Sequence, residues 1–185
     1  QKRIRSKDCK FGYRQSIFKQ DLRNKFLITH ISLTLDKKHR FNLNYGSVKQ
    51  EFENMKRQDL KSLRETIIKI RKRKLPDYNQ IGNAGSFFKN PVIDIQMFGK
   101  LRERYPDLPS YPSGRKVKIP AAWLIEKAGW KGVKENATGT WPSQPLVIVN
   151  YGEAKGQDIF EFSEKIRISV KKQFEIDIER EVKVV

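Results

Sequence analysis

The sequence has one cysteine, Cys9, among 185 residues. No internal disulfide can form, and no Cys-based zinc cluster is available. Its two histidines, His30 and His39, make no metal site on their own, so no metal is expected. Negative charge is scarce: 21 Asp and Glu stand against 39 Lys and Arg, for a formal net charge of +18. No apolar run approaches the ~20 residues that span a bilayer, so no membrane partner is expected. Gln1 to Lys7 is basic, but no hydrophobic segment follows it to complete a signal peptide. A reducing cytoplasm fits these absences. There is no initiator Met, and Gln1 to Lys7 reads like the middle of a strand or loop. The expectation is a fragment whose missing N-terminal part carries balancing charge.

The positive balance implies anionic partners: nucleic acid, a membrane surface or a phosphorylated small molecule. Nucleic acid comes first on charge alone. Two features count against it. The basic residues are spread along the chain apart from 69–74, and no RRM, KH, zinc-finger or helix-turn-helix signature is visible.

What is present is a mixture of periods, which predicts an α+β fold. The apolar fraction is 37% and the aromatic fraction 11%, enough for a core at this length. Phe26 to Leu35 alternates, as do Phe41, Leu43 and Tyr45, and 36–40 reads as a turn between them. This predicts an antiparallel hairpin, in which His30 is structural. From Asp59, a cap, Leu60, Leu63, Ile67 and Ile70 fall at helical spacing up to a stop at Leu75-Pro76. Val92-Ile93 is expected to prolong the strand that begins at Ser86. Asp94 caps a helix over about 95–104 with Ile95, Phe98 and Leu101 inward. The three prolines in 105–114 predict a loop. Pro120 and Gly129 bracket a short helix, 130–143 reads as irregular, and Pro145 to Val149 as a buried strand. A helix over about 157–173 and a last strand alternating at Ile176, Ile178, Val182 and Val184 complete the chain.

The most distinctive stretch is Gly82-Asn83-Ala84-Gly85-Ser86-Phe87-Phe88-Lys89-Asn90-Pro91. Glycines let backbone N–H groups approach a ligand, and consecutive free N–H groups form a nest suited to phosphate. Ser86 follows as a hydroxyl held by the Phe-Phe anchor. The structural alternative is a Gly-rich turn before a buried edge strand. No Ser–His–Asp arrangement accompanies Ser86, so it is a candidate proton donor, not a nucleophile. Tyr13 and Arg14 together suit a carboxylate or phosphate; their alternative is a packed Tyr and a surface Arg. Glu181 is offset from the apolar alternation of the last strand; its alternative is a solvated edge.

This stretch resembles the substrate-domain signature of the UDP-N-acetylenolpyruvoylglucosamine reductase family. Other blocks agree in order and spacing: Phe11-Gly12-Tyr13-Arg14 with Ser16 to Lys19, Arg71 to Asp77, Tyr111-Pro112, Ile119 to Gly132, Gln144 to Asn150 and Glu179 to Lys183. The resemblance implies a flavoenzyme that uses NADPH and FAD to reduce UDP-N-acetylglucosamine enolpyruvate to UDP-N-acetylmuramate for bacterial cell-wall synthesis. It implies catalytic roles for Ser86, which would protonate the carbon next to the substrate carboxylate, for Glu181, at the enolate, and for Arg14. It implies UDP-sugar contacts for Tyr13, Lys74, Asn90, Tyr111, Lys131 and Gln144, with Tyr111 on a lid over the nucleotide.

Two residues depart from the family pattern. Lys183 stands where Arg is usual, and Arg180 stands where proline is often found. The flavin-binding portion would precede Gln1, so the fragment alone is expected to bind FAD poorly and to be inactive. The domains implied are 1–77, the end of the FAD-binding domain; 78–174, the UDP-sugar domain; and 175–185, a strand returning toward the flavin domain. The alternatives are a basic nucleic-acid-binding module and a UDP-sugar-binding domain without catalysis.

Overall fold

The structure, a computed structural model, describes residues 2–38, 40–44 and 46–184. The chain divides into two compact units, Gln1–Asn42 and Leu43–Val185. The first contains two 3-10 turns, Ser6–Cys9 and Ile17–Lys19, which bury Cys9 and Ile17. No described residue between Phe26 and Asn44 is in a strand, so the expected hairpin over 26–45 is not formed by the described residues. Leu27 and Leu35 remain 87% and 82% exposed. Alternation supplies one apolar face, but a two-stranded ribbon has nothing of its own to bury that face against. His39, in the expected turn, and Tyr45, in the expected second strand, lie outside the described residues.

In the second unit a short helix, α1 (Val48–Glu53), packs on α2 (Leu60–Lys74). Asp59 caps α2 as expected, its Oδ1 accepting from Ser62 N at 2.8 Å. Leu75 ends the helix, and Pro76 behind it is buried. The inward stripe is rotated from the expected one. Ser62, Thr66 and Ile70 are buried, while Leu60 and Ile67 are exposed. Among the described residues, α1 is the helix that packs closely on α2, and so narrow a contact covers only part of its aliphatic surface.

The remaining elements are β1 (Gly82–Ser86), β2 (Val92–Ile93), α3 (Ile95–Arg104), β3 (Tyr111–Ser113), β4 (Lys116–Lys118), α4 (Ala121–Lys127), β5 (Lys134–Glu135), β6 (Thr138–Trp141), β7 (Gln144–Asn150) and α5 (Gly156–Phe174). Two antiparallel sheets result, ordered β1-β7-β6-β5 and β2-β4-β3. Helices α4 and α5 pack against the first sheet and against each other. The core between them is built from Phe87, Phe88, Leu124, Ile148, Phe162, Ile166 and Phe174, among others. Burying each such side chain contributes about 1.5–3 kcal/mol. Tyr105, Trp123 and Phe174 form an aromatic cluster at one end, with centroids 5.1–5.8 Å apart.

Several expectations are corrected here. Val92-Ile93 does not prolong β1 but pairs with β4 in the other sheet. Pro91 marks the break: it has no N–H to donate, and its carbonyl accepts from Ile119 N at 2.9 Å. The proline-rich 105–114 stretch contains β3, an edge strand where Pro112 loses no ladder bond. Likewise 130–143 contains β5 and β6, whose inward residues Thr138 and Thr140 are polar and conceal the strand pattern. Helix α3 turns Met97, Phe98 and Leu101 toward the core, whereas Ile95 is exposed. Asp94 occupies its cap position without closing it, and pairs with Lys116 at 3.0 Å. The short helix, the buried strand and the long helix near the C-terminus form where expected.

Candidate functional site

The site is built around Phe87. Its N–H donates to Leu146 O in β7 at 2.8 Å, and its carbonyl accepts from Glu181 N at 2.8 Å. Three stretches distant in sequence thus lie side by side: the start of β7, the end of the glycine-rich stretch, and the extended C-terminal segment. The expected strand alternating at Ile176, Ile178, Val182 and Val184 does not form there: the described residues make no regular strand, with Ile176 and Ile178 buried, Val184 exposed and one bridge, Phe88 opposite Arg180. Lys89 N donates to Glu179 O at 2.8 Å, and the Lys89 ammonium pairs with the Glu179 carboxylate.

Ser86 precedes Phe87 and is exposed, opposite Val147 of β7. Gln144 begins the same strand. This framework joins the backbone of Glu181 to Phe87, the residue after Ser86, whereas Gln144 lies at the end of its strand, opposite Trp141 of β6. Both Phe87 and Phe88 are buried, where alternation along an extended segment required only one of them to be. The expected nest is only partly available. The Gly85 N–H donates to Asn83 Oδ1 at 3.0 Å, and a register shift between Asn83 and Ser86 bulges the strand. Gly85 has φ 71°, a conformation that glycine adopts without strain.

The other predicted residues are placed differently. Asn90 Oδ1 accepts from Ala121 N at 2.9 Å, closing the first turn of α4. Lys131 is ion-paired with Glu126 at 2.7 Å. Tyr111 is exposed on β3, with Lys118 Nζ 5.9 Å from its ring centre. Lys74 is exposed at the end of α2. Tyr13 and Arg14 belong to the first unit, at the tip of a tight turn closed by Gly12 and Gln15, with Arg14 at φ 55°.

Comparison with known proteins decides the family. Residues 76–185 match the model of the UDP-N-acetylenolpyruvoylglucosamine reductase C-terminal domain. The chain belongs to the UDP-N-acetylenolpyruvoylglucosamine reductase family. A reductase of that name from Amoebophilus asiaticus is 42% identical over 187 residues, covering 100% of this chain and 55% of that protein. Its counterpart in Flavobacterium johnsoniae is 41% identical, covering 96% of this chain and 54% of that protein. The Porphyromonas gingivalis reductase is 42% identical, covering 98% and 54%. The chain spans about half the length of the curated relatives it matches.

The G-x-G-x-x-G pattern is absent from the sequence, and the glycine-rich stretch is committed to β7. Among the described residues no group of three or more His, Cys, Asp or Glu side chains is placed to hold a metal, and no helix is long and apolar enough to cross a membrane.

Sequence reasoning missed one feature beside the site. An open groove of about 530 Å³ runs between α5 and the C-terminal segment, lined by Phe160, Glu164, Arg167, Asp177, Ile178, Glu179 and Arg180. Arg167 Nη1 donates to Asp177 at 2.7 Å, and this bond holds the Asp177 carboxyl below the usual range. Burial pushes the Arg180 guanidinium down. The available signal was parity: Arg180 continues the even-numbered alternation of Ile176 and Ile178, so a charged residue occupies an inward position.

Proposed function

We propose that this chain is the substrate-binding part of a reductase that converts UDP-N-acetylglucosamine enolpyruvate to UDP-N-acetylmuramate with NADPH and FAD, in cytoplasmic peptidoglycan precursor synthesis. In this reading residues 1–77 complete the FAD-binding domain, 78–174 bind the UDP-sugar and 175–185 return toward the flavin domain. The flavin supplies hydride and is held by the half of the relatives' length that this chain does not span. Without that half the chain is inactive.

The observation that supports the reading is the hydrogen-bond run from Leu146 through Phe87 to Glu181, which joins the backbone of Glu181 to the residue after Ser86. Ser86, exposed on an anchored turn, gives its proton to the carbon next to the substrate carboxylate. Glu181 is the active-site carboxyl group that handles the enolate formed there. Arg14 assists catalysis, and Tyr13 from the same turn meets the phosphates. Lys74 and Lys131 offer point charges to the diphosphate. Gln144 and Asn90 supply paired donors and acceptors to uracil, sugar or phosphate, and Tyr111 covers the nucleotide.

Titration of this chain with UDP-N-acetylglucosamine enolpyruvate tests the proposal. Saturable binding that UMP does not match is expected. In the complete reductase, Ser86→Ala should lower turnover about 10²–10⁴-fold with binding nearly unchanged. Binding that any polyanion displaces, and that falls steeply with salt, would replace this reading with the nucleic-acid one.

A further inference from the structure

Among the described residues, the end of the chain is joined to the stretch around Phe87 by little backbone pairing: one bridge and two hydrogen bonds. So short a ladder opens easily unless side chains secure it. Here they do. Even-numbered residues of the segment turn inward, and after Ile176 and Ile178 the next inward place is taken by Arg180, with its side chain 19% exposed. A guanidinium at such a depth is stable only when its donors are satisfied. Arg180 Nε donates to Ser163 Oγ at 2.9 Å, and Nη2 donates to the Glu164 carboxylate. The guanidinium carbon lies 4.4 Å from the centre of the Phe160 ring. Glu164 is itself fixed by Arg167, whose Nε and Nη2 each lie 3.0 Å from its carboxylate. All three partners, and Arg167 behind them, sit on α5, so the segment is fastened to a rigid helix.

Register matters here because Glu181 is the next residue. A slip of one position would turn Glu181 toward the core. A slip of two would carry it about 7 Å along the segment. We infer that Arg180 is a positioning residue: its clamp on Phe160, Ser163 and Glu164 sets the register of the terminal segment and so places the Glu181 carboxylate beside the Ser86 turn. The catalytic consequence rests on the reading of Glu181 given above; the register itself does not.

Hydrogen exchange and kinetics on Arg180→Met test the inference. In this chain, exchange at the Glu181 and Lys89 amides should rise at least about tenfold, while β7 amides stay protected. In the complete reductase, kcat should fall about 10–100-fold with KM for the UDP-sugar within about twofold. Arg180→Lys keeps the charge but loses the planar fork, and should recover part of the loss. Unchanged exchange at Glu181 in a folded Arg180→Met chain overturns the clamp. Faster exchange with normal kcat overturns its positioning role. Should Arg180→Met not fold, Arg180→Lys and Ser163→Ala carry the same two measurements. A wild-type enzyme without turnover would instead count against the reductase reading, and the exchange result would still decide whether Arg180 sets the register.

Discussion

At Gly139 the absence of a side chain is a packing requirement. A Cβ on this residue would lie 2.7 Å from Val133 O and 2.9 Å from Tyr151 Cε2. The first neighbour is backbone and cannot swing aside. Gly139→Ala should therefore push β6 away from the 133–134 backbone and cost about 1–3 kcal/mol, read as a lower urea midpoint at unchanged m. An unshifted midpoint would mean that the strand relaxes freely. Nothing in the sequence marks this glycine, because the atoms that crowd it come from the preceding strand and from the loop after β7. Asn90 is a similar case. Its Oδ1 closes the first turn of α4, a role set by the fold that the sequence alone does not show.

Among the elements, α5 organises the site. Its inward face supplies Phe162, Ile166 and Val170 to the core, and its flank carries the ion pairs that receive the C-terminal segment. Asp177 meets Arg167 at 2.7 Å and Lys171 at 3.3 Å, with the Arg167 hydrogen bond leading the causes that lower its pKa. A carboxyl whose folded pKa lies below its unfolded value adds stability above the unfolded value, and loses it as pH falls through the folded one. Asp177→Asn should thus lower Tm near neutral pH, with the gap to wild type closing as pH drops below about 4. The effect is modest because half of the carboxylate is exposed. A gap that stays constant into acid would assign the loss to something other than the ion pairs.

For the molecule as a whole, the division into two units has a direct consequence. The main apolar cluster is drawn entirely from Phe87 to Val182 within the second unit. Residues 43–185 alone should therefore keep a single cooperative transition, with Tm within about 3 °C of the full chain. Loss of that transition on removing 1–42 would show that the second unit needs the first. The apolar side chains at 26–35 remain exposed.

Sequence alone determined the elements whose signals lie within a few residues of one another. The Asp59 cap and Leu75-Pro76 stop of α2, the Pro120 and Gly129 brackets of α4, and the helical spacing of Ile159, Phe162, Ile166 and Val170 are local, and each helix formed where they pointed. The signature around Ser86 identified the family for the same reason, since a linear pattern needs no fold to be read. Only the tertiary structure decided that the alternating residues at 26–35 stay unpaired, that Thr138 and Thr140 face inward in a strand, and that Arg180 lies in the apolar register. A strand is completed by its neighbour and a buried charge by its partners. Phe87, joined on one side to Leu146 and on the other to Glu181, takes both from parts of the chain that meet it only after folding.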